Sequence, residues 1–367
     1  MVHANPIIDV HAVDGPDEDA VVQLREWGTD TIHVIPRLPG LLEVSVGRHR
    51  TCAIRLQDRR KLVSRVHAKL VYDHGRWLLR DLNSINGIFL YGARLSEFWL
   101  EPGDEIDIGY VTLIAESRRT IELRAYLSRL LGWDPSQLEI VDLALRSIRS
   151  SVMGSGALVL CGEDDLVPIA RSLHRRMLGA DRPFIVCDPA RCQLNDPMRP
   201  ENYDEGVPAL AAAAGGTLCV RHERLPNDFA NVAAALRHSE TQVQLTVCAR
   251  STRYCARYLS VPITIPPLRD RIMEIDRVIA EYAQDAFCQL GHPGTTLSSE
   301  DLEWVRRHST SSIAAIEKAT LRLAAIRSSD DVGVAAARLR MSPTSLSLWI
   351  ARRKVPMAVA CSCCSRN

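Results

Sequence analysis

Between about residue 30 and residue 116, apolar and polar positions alternate in short runs: "TIHVIP", "LLEVSVG", "AIRL", "VHAKLVYDHGRWLLRDL", "GIFLYGARL" and "DEIDIGYVTLIAE". Alternation of period two marks strands that are half buried, and the Gly, Asp and Asn clusters between the runs mark turns. A β-sandwich is the expectation, with hairpin turns in "YDHGRW" and "LYGARL". Near residue 118 the pattern changes. "RRTIELRAYLSRLLGW" and "QLEIVDLALRSIRSSV" have helical periodicity, and the apolar strands "GALVLCG", "RPFIVCD", "GGTLCVR" and "VQLTVCA" follow with helical stretches between them. That alternation predicts a parallel α/β sheet. From "PPLRDR" onward every segment reads as helix, over 270–290, 298–308, 311–327 and two short helices within 330–354.

These patterns divide the chain into a flexible N-terminal tail (1–27), a strand-rich domain (28–117), an α/β domain (118–265), a helical segment (266–327), a pair of helices (328–356) and a disordered tail (357–367). A chain of 367 residues is long enough for several domains with their own cores. The formal net charge is +1, so contact with nucleic acid calls for a local patch rather than a global field. The eleven cysteines are scattered and odd in number, which points to reduced thiols in a cytoplasm. No signal peptide and no membrane-length apolar run is expected, so the predicted setting is cytoplasmic, away from membranes.

Candidate chemistry in the first domain comes as an ordered series: Gly47-Arg48, then Ser64-Arg65-Val66-His67-Ala68, then Asp81-Leu82-Asn83-Ser84-Ile85-Asn86-Gly87, then Gly103-Asp104 and Ile108-Gly109. Arg48 offers a rigid fork of donors suited to phosphate, Ser64 a short hydroxyl, Arg65 a second cation, and Asn86 both donor and acceptor groups for an extended backbone. Gly47 and Gly87 allow backbone geometries closed to other residues. The series resembles the forkhead-associated (FHA) family, with its GR, SRxHA, DLxSxNG and GDxIxIG motifs. That resemblance implies a β-sandwich whose loop tips bind a phosphothreonine-containing protein through Arg48, Ser64, Arg65 and Asn86, with His67 as an internal brace. One position departs from the family: Ile85 stands where a phosphate-contacting threonine is usual.

The middle of the chain resembles the AAA+ domain of sigma-54-dependent transcription activators, through "LVLCGEDD", "GGTLCVR" and "IPPLRDR". The resemblance implies a P-loop-like α/β domain with a helical lid, but the chemistry is eroded. A phosphate cradle needs glycines and a lysine, and after Gly162 this chain has Glu163, Asp164 and Asp165 instead. Leu218-Cys219-Val220-Arg221-His222-Glu223 stands where the family has LFLDEI, so Arg221 replaces the magnesium-holding aspartate and His222 the water-activating glutamate. The GAFTGA loop and the lid's sensor arginine are missing. The expectation is a degenerate nucleotide site with no catalytic residue, no cofactor and no metal. The tail pair Cys361 and Cys364 lacks partners for a zinc site.

"DVGVAAARLRMSPTSLSLWIARRK" resembles the Fis-type helix-turn-helix that closes many such activators. Ser342 and Pro343 open its second helix. Val334, Ala335, Leu339, Leu346 and Ile350 are expected to pack, while Thr344, Ser345, Ser347 and Trp349 face double-stranded DNA and Arg352, Arg353 and Lys354 meet phosphates. A homodimer would read two half-sites. The sequence thus predicts a phosphothreonine-dependent transcription regulator that is not an enzyme. An FHA adaptor without DNA contact and a residual sigma-54-interacting ATPase stay open beside it.

Overall fold

The computed structural model describes residues 18–36, 42–153, 156–191, 201–237, 242–253, 258 and 260–356. It divides into two compact units, Met1–Glu122 and Leu123–Asn367.

In the first unit the strands are β1 (Val21–Glu26), β2 (Ile32–Val34), β3 (Glu43–Gly47), β4 (Ile54–Arg55), β5 (Ala68–Asp73) and β6 (Arg76–Asp81). They continue as β7 (Ile88–Leu90), β8 (Ala93–Leu95), β9 (Glu97–Trp99), β10 (Glu105–Ile108) and β11 (Val111–Ser117). One sheet runs β2-β1-β11-β10-β7-β8 and the other β4-β3-β5-β6-β9. Inward residues of the strands other than the edge strands β2 and β8 meet in one core, built on Leu24, Val44, Val46, Leu70, Leu79, Ile106, Ile108 and Leu113. This is a β-sandwich. Both expected hairpins form: β5 pairs with β6 across His74-Gly75, and β7 with β8 across Tyr91-Gly92. All four turn residues have positive φ, as the tight turns that match strand twist require.

The flexible tail expected over 1–27 needs correction from Val21 onward, since Val21–Glu26 pairs with β11 inside the first sheet; residues 1–17 lie outside the described residues. The reason is Arg25. It reads as a surface residue, yet it is fully buried, and its Nε donates to Glu116 Oε1 at 2.7 Å. Gln23 Nε2 donates to the other oxygen of the same carboxylate, also at 2.7 Å.

The second unit begins in α1 (Arg118–Leu131), followed by α2 (Leu138–Val152), β12 (Leu158–Cys161), α3 (Val167–Leu178), β13 (Phe184–Cys187) and β14 (Asn202–Tyr203). Next come α4 (Gly206–Ala212), β15 (Thr217–Arg221), α5 (Phe229–Ala235), β16 (Gln244–Ala249) and β17 (Ile263–Thr264). The sheet is parallel, in the order β14-β13-β15-β16-β12-β17. Every residue of β12 and β13 is buried, because a parallel sheet is covered on both faces and its strands become continuous apolar runs.

A helical region follows: α6 (Ile275–Gln289), α7 (Ser299–His308), α8 (Ile313–Arg327), α9 (Val332–Arg338) and α10 (Pro343–Arg353). Ser298, Ser312, Asp331 and Ser342 each accept a backbone N–H at the start of α7, α8, α9 and α10, satisfying donors that a helix cannot satisfy itself. The segment 270–274, expected as helix, belongs to a 3-10 stretch, Leu268–Glu274, with Arg271 at φ −129°. Arg271 instead ties this stretch to α1, donating to the carbonyls of Leu130 and Arg129. Among the described residues no helix is long and apolar enough to cross a membrane.

Removing the carboxylate of Glu116 strands a buried guanidinium. Glu116→Ala should therefore destabilise the first unit by about 3–5 kcal/mol in chemical denaturation, while Arg25→Met combined with Glu116→Leu should recover most of that loss.

Candidate phosphopeptide-binding site

The site residues of the first unit stand on three loops that lock onto one another: 48–53 after β3, 56–67 before β5, and 82–87 between β6 and β7. Gly47 ends β3 in close approach to the second loop. A Cβ there would sit 2.5 Å from the Arg65 carbonyl oxygen, so only glycine lets the strands meet. The contact continues through Arg48 N–H donating to Ser64 O at 3.1 Å and His49 N–H to Arg65 O at 3.0 Å. Arg48 and Arg65 are exposed, and Ser64 and Asn86 are half-buried. Asn86 Nδ2 donates to Leu62 O at 2.7 Å, which leaves its second N–H and its side-chain carbonyl for another group.

His67 is fully buried at the centre of this arrangement. Its backbone N–H donates to Val46 O and its carbonyl accepts from Leu82 N–H. The Ser64 N–H donates to its Nδ1 at 3.0 Å, and its Nε2 lies 2.9 Å from Gly87 O. One ring nitrogen must accept and the other donate, which specifies the neutral imidazole protonated on Nε2. His67 thus binds the Ser64 loop and the Gly87 loop to each other, and touches no surface.

Two residues without a role in the sequence reading complete the third loop. Asp81 accepts from Ser84 Oγ at 2.5 Å and from Ser84 N–H at 3.1 Å, and Ser84 Oγ accepts from Gly87 N–H at 2.9 Å. Gly87 has φ +79°, and the Arg94 guanidinium lies where its Cβ would be. Arg94 was missed because it follows the motif by seven residues. The clue was the "LYGARL" hairpin, which brings β8 back beside β7 and pairs Arg94 with Phe89. Ile85 is 85 % exposed at the tip of the loop, and its N–H points at Ser64 Oγ from 3.5 Å.

A second cluster stands at the carboxyl ends of β12, β13 and β15 in the other unit, the region where parallel sheets usually bind ligands. Gly162 follows β12. Asp165 caps α3 by accepting from Val167 N–H at 3.2 Å, and it also accepts from Arg221 Nη2 at 2.6 Å. Arg221 Nε lies 3.0 Å from Asp188, which is 1 % exposed and follows β13. Although burial opposes it, the Asp165 charge holds the Arg221 guanidinium above its ordinary pKa. Asp164 is pushed up, first by burial and then by the Glu163 charge. Glu163 itself pairs with Arg269 across the mouth, at 2.7 Å. His222 Nδ1 lies 2.8 Å from the Tyr258 hydroxyl. Among the described residues the cluster thus sets Glu163, Asp165 and Asp188 against Arg269, Arg221 and Arg224, the last 3.6 Å from Asp188. Among the described residues no group of His, Cys, Asp or Glu could hold a metal ion; Cys361 and Cys364 lie outside them.

At the C-terminal helices, Thr344, Ser345, Ser347, Arg352, Arg353 and Lys354 are exposed. Trp349 requires correction. It does not face outward but packs edge-on against Trp304 at 5.5 Å, with the Arg322 guanidinium over its ring at 4.9 Å. It follows the buried Leu346 by three residues and so shares its face of the helix. Val334, expected to pack, is 42 % exposed; Ala335, Ala336 and Leu339 carry the packed side of α9.

Residues 44–109 match the family model of the FHA domain. A solved structure concerned with phosphothreonine-dependent FHA domain interactions is 30 % identical, covers 26 % of this chain and 96 % of its own, and superposes with a TM-score of 0.24. The FhaA FHA domain, complexed with the intracellular domain of another protein, is 30 % identical over 25 % of this chain and 96 % of its own, with a TM-score of 0.23. Mycobacterium tuberculosis EmbR, in complex with a low-affinity phosphopeptide, is 25 % identical over 27 % of this chain and 24 % of its own, with a TM-score of 0.24. No curated protein matches the chain. The family model, the ordered motifs and the three interlocked loops agree, and through this domain the chain belongs to the FHA family.

Proposed function

We propose that this chain is a phosphothreonine-dependent regulator. It binds a phosphorylated protein through Arg48, Ser64, Arg65 and Asn86 and works in the cytoplasm. The observation that carries the reading is the convergence of Arg48, Ser64 and Asn86 on loops locked by His67. A guanidinium fork and a hydroxyl suit phosphate oxygens, and the remaining amide groups of Asn86 suit an extended backbone. The FHA relatives solved in complex with a phosphopeptide or a protein domain support the same chemistry.

In this reading the second unit is a degenerate AAA+-like domain that serves as a scaffold and does not hydrolyse ATP. The support is the Arg221–Asp165–Asp188 cluster, which fills with internal ion pairs the place where phosphates and magnesium would sit. Helices α9 and α10 act as a helix-turn-helix that binds double-stranded DNA, as a homodimer on paired half-sites. Its support is the exposed row Thr344, Ser345 and Ser347, followed by Arg352, Arg353 and Lys354. The runner-up is an adaptor that joins a phosphoprotein to another protein without touching DNA.

A phosphothreonine peptide library should yield a binder whose affinity falls by about 100-fold or more on Arg48→Ala, measured by fluorescence anisotropy; a silent library would sink the reading. Magnesium-ATP at millimolar concentration should leave the melting temperature unchanged within about 1 °C, because a ligand that binds the folded state must stabilise it. A rise that grows with ATP concentration would restore the ATPase. Duplex DNA should be retarded at low salt, steeply less so as salt rises, and not at all by protein carrying Arg352→Ala with Arg353→Ala. Unretarded DNA would leave the adaptor.

A further inference from the structure

The loops around the Arg48–Ser64–Asn86 site carry far more positive charge than one phosphate needs. Residues 48–65 contain Arg48, Arg50, Arg55, Arg59, Arg60, Lys61 and Arg65 against a single acid, Asp58, in a chain whose formal net charge is only +1. All seven cations are exposed. They are also drawn together: His49 N–H donates to Arg65 O, Cys52 Sγ to Arg65 O, and Asn86 to Leu62 O, so the first two loops and the Asn86 loop form one rim. Arg94 adds a further cation beside Gly87.

The contrast with the strands is direct. Lys69, Arg76 and Arg80 each pair with a glutamate, namely Glu43, Glu101 and Glu97. On the rim, no acidic side chain among the described residues pairs with Arg48, Arg50, Arg59, Lys61 or Arg65. Asp58 does not serve them. Its carboxylate is turned into its own loop, where it accepts from Arg60 N–H at 2.9 Å and Val63 N–H at 2.5 Å. Though burial opposes it, those amides hold Asp58 below the usual carboxylate range, so it stays in this internal role. Arg60 is stacked 4.3 Å over the ring of Tyr110. The result is a cluster of exposed like charges that the single Asp58 carboxylate does not balance, and whose mutual repulsion an anionic partner would relieve.

We infer that the preferred ligand is a phosphothreonine segment flanked by aspartate and glutamate, whose carboxylates meet Arg50, Arg59 and Lys61 while the phosphate occupies Arg48 and Ser64. This rests on the phosphothreonine reading and adds the character of the partner. Each exposed pair contributes little alone. Several together, around one site, raise both association rate and selectivity, and salt weakens them.

The test uses the full chain and five probes: one phosphothreonine peptide with neutral flanks, one with three acidic residues on either side, the unphosphorylated acidic peptide, a peptide with a flanking phosphoserine instead of carboxylates, and a short DNA duplex as general polyanion. The acidic phosphopeptide should bind about tenfold or more tightly than the neutral one at low salt, and the ratio should shrink towards one by about 0.5 M NaCl. Arg50→Ser with Arg59→Ser and Lys61→Asn should remove that ratio and leave the neutral phosphopeptide unaffected, which also reports that the variant is folded; asparagine at 61 suits the left-handed backbone there, φ +58°. Equal affinity for acidic and neutral phosphopeptides overturns this inference alone. So does a preference confined to the phosphoserine peptide, or equal binding of the unphosphorylated acidic peptide or the duplex. Absence of binding by every phosphopeptide overturns the phosphothreonine reading and this inference with it.

Discussion

One buried imidazole holds the ligand-facing surface of the first unit together. His67 accepts from Ser64 N–H and donates to Gly87 O, so it joins two loops about twenty residues apart, one within a single sheet and the other crossing from that sheet to its partner. An unmade hydrogen bond in such a dry position costs its full desolvation penalty. Each loop is therefore held in one conformation by the other. Arg48 joins through backbone bonds alone, and its guanidinium remains at the surface. Preorganisation of this kind spares a ligand the cost of ordering the loops.

The same principle, with charge in place of hydrogen bonds, governs the carboxyl ends of the parallel strands in the second unit. Arg221, Asp165 and Asp188 come from three separate segments and pair with one another. Asp188 is buried, so removing its counter-charge would strand a carboxylate away from water, whereas the Arg221–Asp165 pair is open to solvent and contributes little. The Arg221–Asp188 contact therefore ties the ends of β13 and β15 to each other.

Much of this was legible in the sequence wherever local pattern and chemistry coincide. The alternating runs, the hairpins at His74-Gly75 and Tyr91-Gly92, and the apolar parallel strands follow from periodicity and turn residues that act over a few positions. Arg48, Ser64, His67 and Asn86 stood out because their spacing spans several motifs. Illegible residues owe their position to distant partners. Val21–Glu26 reads as tail because nothing local shows that Arg25 is matched by Glu116, 91 residues later. Asp188 carries no motif, and only the sheet order brings it to Arg221. Trp349 is a different case, since its spacing from Leu346 already placed it on the packed face; the family template, rather than periodicity, turned it outward.

That tryptophan has a mechanical consequence. Trp349 rests on Trp304 of α7 and under Arg322 of α8, and Trp304 Nε1 donates to Arg353 O at the end of α10. The last helix is therefore bolted to the bundle at its middle and at its end, with no swivel between them. A body built this way behaves as one lever: whatever grips the outer face of α10 takes hold of α7 and α8 as well.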